Sequence, residues 1–230
     1  MNRRAREGRL LRMLVELACP LCIGAEQDCP RKGPGRKPEI PDWVMAVLIT
    51  VAIAKRKKSK SAQYRYLSEH RDLLMNWLGV DRFPCRSSFF DRYCRAHLLF
   101  EHAIRRHSML AARCGWIQAE CVSVDKSVIP SRGPEWHQRY VKREGFKPGA
   151  DRDAAWTYTN HHGWIQGYAY EVVVTSEKRG PVWPVLASAA TANVQECRSF
   201  ASKIDCLLEQ TRYVLADKGY ESDDFGEQIE

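Results

Sequence analysis

Residues 212–220 read Arg212-Tyr213-Val214-Leu215-Ala216-Asp217-Lys218-Gly219-Tyr220, and the apolar run at 212–216 predicts a short β-strand that ends on a carboxylate. Far upstream, Cys121-Val122-Ser123-Val124-Asp125 has the same form, β-branched residues followed by an acid. Between them, residues 167–175 and 182–190 have the composition of two further strands. The turn-like stretch 176–180 joins those two as an antiparallel hairpin. Val194, Cys197, Phe200, Ala201, Ile204, Leu207 and Leu208 then recur at helical spacing, which predicts a helix over 193–210 capped by Asn193.

In α/β sheets, ligands collect beyond the carboxyl ends of the strands. Two strands ending at Asp125 and Asp217, laid side by side, would bring the two carboxylates together despite their separation in sequence. Adjacent carboxylates repel and favour a bound cation. Hard divalent ions, Mg²⁺ or Mn²⁺, take oxygen ligands, and a pair of them can clamp the attacking and leaving oxygens of a phosphoryl transfer. Either Asp alone reads as the cap of a turn. The pair, in this order of elements, points to a metal site with Asp125 and Asp217 as metal ligands and catalytic residues.

Composition frames that reading. A hydrophobic share of 44% over 230 residues is ample for a buried core, and 36 Lys and Arg against 28 Asp and Glu leave a net charge of +8, which attracts polyanions such as nucleic acid. The longest apolar stretch, 43–54, is about 12 residues where a membrane span needs roughly 20, so no membrane partner is expected. Nine cysteines, with no secretory leader in view, point to reduced thiols and a cytoplasmic location.

The expected fold class is α+β, in three regions. Residues 1–40 read as a basic helix (8–18) followed by a linker rich in Cys, Pro and Gly. Residues 41–119 read as all-α, with helices at 43–54, 61–77 and 87–114. Residues 120–230 read as a mixed α/β part, with 126–153 as a polar loop.

Val214-Leu215-Ala216-Asp217-Lys218-Gly219-Tyr220 followed by Glu221-Ser222 closely resembles the second-acid motif of bacterial insertion-sequence DDE transposases. Val122-Ser123-Val124-Asp125-Lys126-Ser127 resembles their first-acid motif, and Trp164-Ile165-Gln166-Gly167-Tyr168 the segment after it. The resemblance covers roughly residues 35–230, its upstream part, Gly35–Pro38 and Pro84–Arg92, being less specific. It implies a ribonuclease-H-like core that holds two divalent metals, cleaves double-stranded DNA at transposon ends and joins them to a target, working as a homodimer or larger assembly. The family's third acid, a Glu on a later helix, is expected beyond residue 230; Glu227 and Glu230 lack its signature and read as surface residues. The chain is therefore expected to resemble a C-terminally truncated transposase that binds DNA with weak or no turnover. The alternative is a non-catalytic DNA-binding remnant that regulates or inhibits transposition. Where relatives often carry Lys and His this sequence has Ala169 and Glu171, and neither is given a role.

Several cationic stretches are candidates for DNA contact. Lys55, Arg56, Lys57 and Lys58 form a tight block between two helices, with Arg31, Lys32, Arg36 and Lys37 adding to the excess. Residues 87–97 could form the second helix of a helix-turn-helix, with Arg86, Arg92 and Arg95 reaching phosphates. Arg139, Lys142 and Arg143 lie among Trp136 and Tyr140. His161 and His162, beside Trp156, Tyr158 and Trp164, read as a loop with packed aromatics, though base stacking is open to them. Cys19, Cys22 and Cys29 resemble half of a zinc site, and without a fourth ligand they read as free thiols.

Overall fold

The computed structural model describes residues 3–29, 38–177 and 180–220. The chain divides into two compact units between His107 and Ser108, inside the helix at Ala96–Arg113. The class is α+β, helical first and sheet-containing second.

The first unit is built around α2 (Asp42–Ala54), which buries Val44 through Ile49 together with Val51 and Ala52. A helix apolar on nearly every side must be enclosed, and fully burying each large aliphatic side chain contributes about 1.5–3 kcal/mol. The main cover is α1 (Arg3–Asp28), whose Leu11, Val15, Ala18, Cys22 and Ala25 join the same core. Residues 19–28 are therefore helix rather than the expected linker. Pro20 removes the hydrogen bond its nitrogen would make to the Glu16 carbonyl, yet burial of Cys22 and Ala25 beyond it keeps the helix going. Its last turn is used: Glu26 Oε1 accepts the Asp42 N–H at 2.7 Å, capping α2, whose own Pro41 makes no side-chain cap.

The helix expected over 61–77 is two, α3 (Lys60–Glu69) and α4 (Arg71–Leu78), broken at His70. Ser59 caps α3 by accepting the Ala62 N–H, and Gly79 ends α4 at φ 64°, a left-handed conformation suited to glycine. The helix expected over 87–114 also divides, into α5 (Arg86–Tyr93) and α6 (Ala96–Arg113).

Among the described residues the second unit carries five strands: β1 (Cys121–Pro130), β2 (Ala155–Thr159), β3 (Gly163–Thr175), β4 (Pro184–Thr191) and β5 (Tyr213–Leu215). β3 pairs antiparallel with β1, β2 and β4, and β5 pairs parallel with β1. The expected β3–β4 hairpin is present. Val122, Val124 and Val173 face a core with Ile117, Val185, Phe200 and Tyr220. Gly167 is fixed by a close approach, since a Cβ there would lie 2.0 Å from the Ile129 carbonyl oxygen.

β1 does not end at Asp125 but continues to Pro130, because β3 offers partners along its whole length. The stretch after Asp153 forms the β2–β3 hairpin, and residues 138–144 of the expected loop form a short helix, α7 (Gln138–Glu144). The helix expected over 193–210 shrinks to α8 (Glu196–Ala201) and one 3-10 turn at Ile204–Cys206, with Gln195 rather than Asn193 at its cap.

Candidate functional site

The β1–β5 register pairs Cys121 with Tyr213, Val122 with Val214 and Ser123 with Leu215. The two strands lie side by side, and Asp125 and Asp217 each follow the last pair by two residues, Asp217 beyond the end of β5. Both acids are exposed. Asp125 Oδ1 accepts the Lys126 N–H at 2.8 Å, and Asp217 Oδ1 accepts the Gly219 N–H at 2.9 Å. Each carboxylate is thus held through one oxygen, leaving the other for a ligand.

A third acid belongs to this corner. Glu196 opens α8, and its Oε2 lies so close to Gly219 that a Cβ on the glycine would sit 1.8 Å from it and 3.1 Å from Asp217 Oδ1. Partial burial raises the Glu196 carboxyl above its ordinary range; Asp217, Asp125 and Glu171 push the same way, while Lys126 opposes them. Sequence reasoning missed Glu196 because it lay inside the expected helix. The available signal was the Asp-Lys-Gly turn, whose glycine leaves room for a neighbour.

Behind the acids lies a buried polar group. Glu171, 4% exposed, accepts from Lys203 Nζ at 2.8 Å, Ser199 Oγ at 3.3 Å and Tyr220 Oη at 3.4 Å. A buried carboxylate persists only when paired and hydrogen-bonded, and these partners tie β3, α8 and the turn after Asp217 together. Lys126 Nζ donates to the Val194 carbonyl, holding the approach to α8. Among the described residues no three His, Cys, Asp or Glu side chains converge closely enough in this arrangement to grip one ion.

The structure separates the cationic candidates. Lys55 pairs with Glu7 at 2.8 Å. Arg92 donates from Nε and Nη2 to Asp42 and from Nη1 to the Ile40 carbonyl at 2.7 Å, its side chain only 13% exposed. Both fasten helices. Arg56, Lys58, Arg86, Arg95, Arg139 and Lys142 are exposed, while Lys57 lies over the Tyr66 ring and Arg86 over Phe90. The Arg143 side chain, Arg31, Lys32, Arg36, Lys37, Glu227 and Glu230 lie outside the described residues. Cys19, Cys22 and Cys29 are free; burial, helped by Cys19, pushes the Cys22 thiol up to about 12, which disfavours the thiolate that zinc requires.

No protein-family model, curated protein or solved structure matches the chain. No helix among the described residues is long and apolar enough to cross a membrane.

Proposed function

We propose that the chain is the DNA-processing portion of a transposase, with Asp125, Asp217 and Glu196 forming the acidic corner of a metal-dependent phosphoryl-transfer site. The observation that carries this reading is the parallel β1–β5 pairing, in which two strands distant in sequence run side by side toward Asp125 and Asp217. The strand order β4-β3-β1-β5, antiparallel until the last pair and joined through α8, supports a ribonuclease-H-like core. The motifs around Asp125 and Asp217 support the transposase class, and the charge of +8 suits a DNA partner.

The donor set fits Mg²⁺ or Mn²⁺ in kind: three carboxylates, no thiol and no imidazole. Bound there, such an ion would neutralise phosphate charge and activate the attacking water or 3′-hydroxyl. The chain's own part is positional. The Lys126 and Gly219 amides aim one carboxylate each, the Lys126 ammonium fixes the loop before Glu196, and Glu171 with Lys203 and Tyr220 anchors the turn behind Asp217. Exposed Arg139 and Lys142 supply cations for the DNA backbone.

The test is a calorimetric Mn²⁺ titration of the whole chain and its Asp125→Ala and Asp217→Ala variants. Weaker binding in both variants is expected, and unchanged binding in both would remove the metal site. A second reading, a DNA-binding regulator without turnover, draws on the spacing of the carboxylates, too wide for three to grip one ion. Mn²⁺-dependent nicking of plasmid DNA, absent in Asp217→Ala, would exclude it.

A further inference from the structure

The sheet of the second unit has two unlike faces. One packs on the core through Val122, Val124, Ala169, Glu171 and Val173. On the other, register partners share a side: Asp125 with Val172, Ser127 with Tyr170, Ile129 with Tyr168, and across the β2–β3 hairpin Trp156 with Gln166 and Tyr158 with Trp164. Trp164 is 69% exposed, Tyr158 60% and Tyr170 42%, an unusual amount of aromatic surface to leave in water.

We propose that the outer end of this face, the Trp164–Tyr158 pair, is a stacking platform for an unpaired nucleic-acid strand. Inward from that pair the face is covered, since Gln166 is 3% exposed and bonded to the Trp136 backbone and Tyr168 Oη donates to Asp151. The Tyr158 and Trp164 rings meet edge to face, centroids 5.7 Å apart at 71°, which leaves ring faces open. One rung along, the Trp156 indole carries the His137 imidazole in a parallel stack, 4.5 Å apart at 5°. That face therefore already holds a planar nitrogen heterocycle in the geometry a nucleobase would take. α7 starts immediately after His137, which rests on Trp156, and its exposed Arg139 and Lys142 suit a phosphate backbone rather than a neutral protein partner. Aromatic platforms flanked by cations bind single strands without sequence preference.

This inference rests on the nucleic-acid half of the function proposed above and uses neither carboxylates nor metal. The test is fluorescence anisotropy of a labelled oligothymidylate with the whole chain in EDTA. Trp164→Ala and Tyr158→Ala are each expected to weaken binding about five- to a hundredfold with little change in its salt dependence. Trp164→Phe should retain most of the affinity, and Trp116→Ala, which removes an exposed indole outside the sheet, should leave it unchanged. Circular dichroism checks that each variant folds. Equal affinity in wild type and Trp164→Ala, or no single-strand binding by the wild type, would overturn the platform. So would concentration-dependent self-association that Trp164→Ala abolishes, which assigns the face to a second copy. Because divalent ions are absent, failure of the Mn²⁺ titration and failure of this test are separate results.

Discussion

Asp125 and Asp217 each follow the register pair Ser123–Leu215 by two residues, and the charges of both help to raise the Glu196 carboxyl. Without a cation the three acids work against one another. Glu196→Gln is therefore expected to raise the thermal stability of the metal-free protein at neutral pH while weakening Mn²⁺ binding. The folded-state carboxyl is raised above its ordinary 4.5, so its destabilising effect is absent at lower pH, grows as pH climbs from 4.5 through the raised value, and is then constant. Melting curves of the two proteins should converge in acid. A gap that persists below pH 4 would remove the electrostatic cause.

Gly219→Ala puts a methyl group where Glu196 Oε2 now lies. The end of a glutamate side chain can swing away, so the stability cost should stay within about 1 kcal/mol. Mn²⁺ affinity should fall, and adding Glu196→Gln to this variant should lower it little further. Full additivity of the two changes would show that Gly219 does not act through Glu196.

Gly167→Ala meets backbone instead, the Ile129 carbonyl oxygen 2.0 Å from the new Cβ, and the β1–β3 ladder cannot yield as a side chain can. Chemical denaturation should show a loss of about 1–3 kcal/mol or more. A neutral result would mean that the strands part easily between Ile129 and Gly167.

Cys85 sits at the N-cap of α5, exposed, its sulfur 3.3 Å from Ser87 Oγ. Hydrogen bonding from the Ser87 side chain, then from backbone N–H groups led by that of Ser88, lowers its pKa. Among the described thiols it should be alkylated early at pH 7.5, well ahead of buried Cys22, as peptide mass spectrometry would reveal. Ser87→Ala should slow the reaction.

The two aspartates were legible because strand and acid are contiguous in sequence, whereas the pairing of β1 with β5 stands in the sequence only as a condition that the structure meets. Glu196 was hidden because its place depends on where α8 starts, and the apolar periodicity over 193–210 runs through two breaks that it does not record. Residues 126–130 looked like loop because Lys126 and Ser127 are polar, although β3 recruits them all the same. The alternation Trp156, Thr157, Tyr158, Thr159 carries a strand signal that its polar surroundings mask. Pro20 and Gly24 read as breakers, and the burial of Cys22 and Ala25 against α2 outweighed them.

β5 contributes only three paired residues, at the end of the strand path through β3 and β1, whereas Asp125 lies within a nine-pair ladder to β3. One acid is set in a beam and the other hangs from a short hinge. Fraying at that edge would separate the carboxylates by moving Asp217 alone, so a ligand that bridges the two also staples the last strand to the sheet.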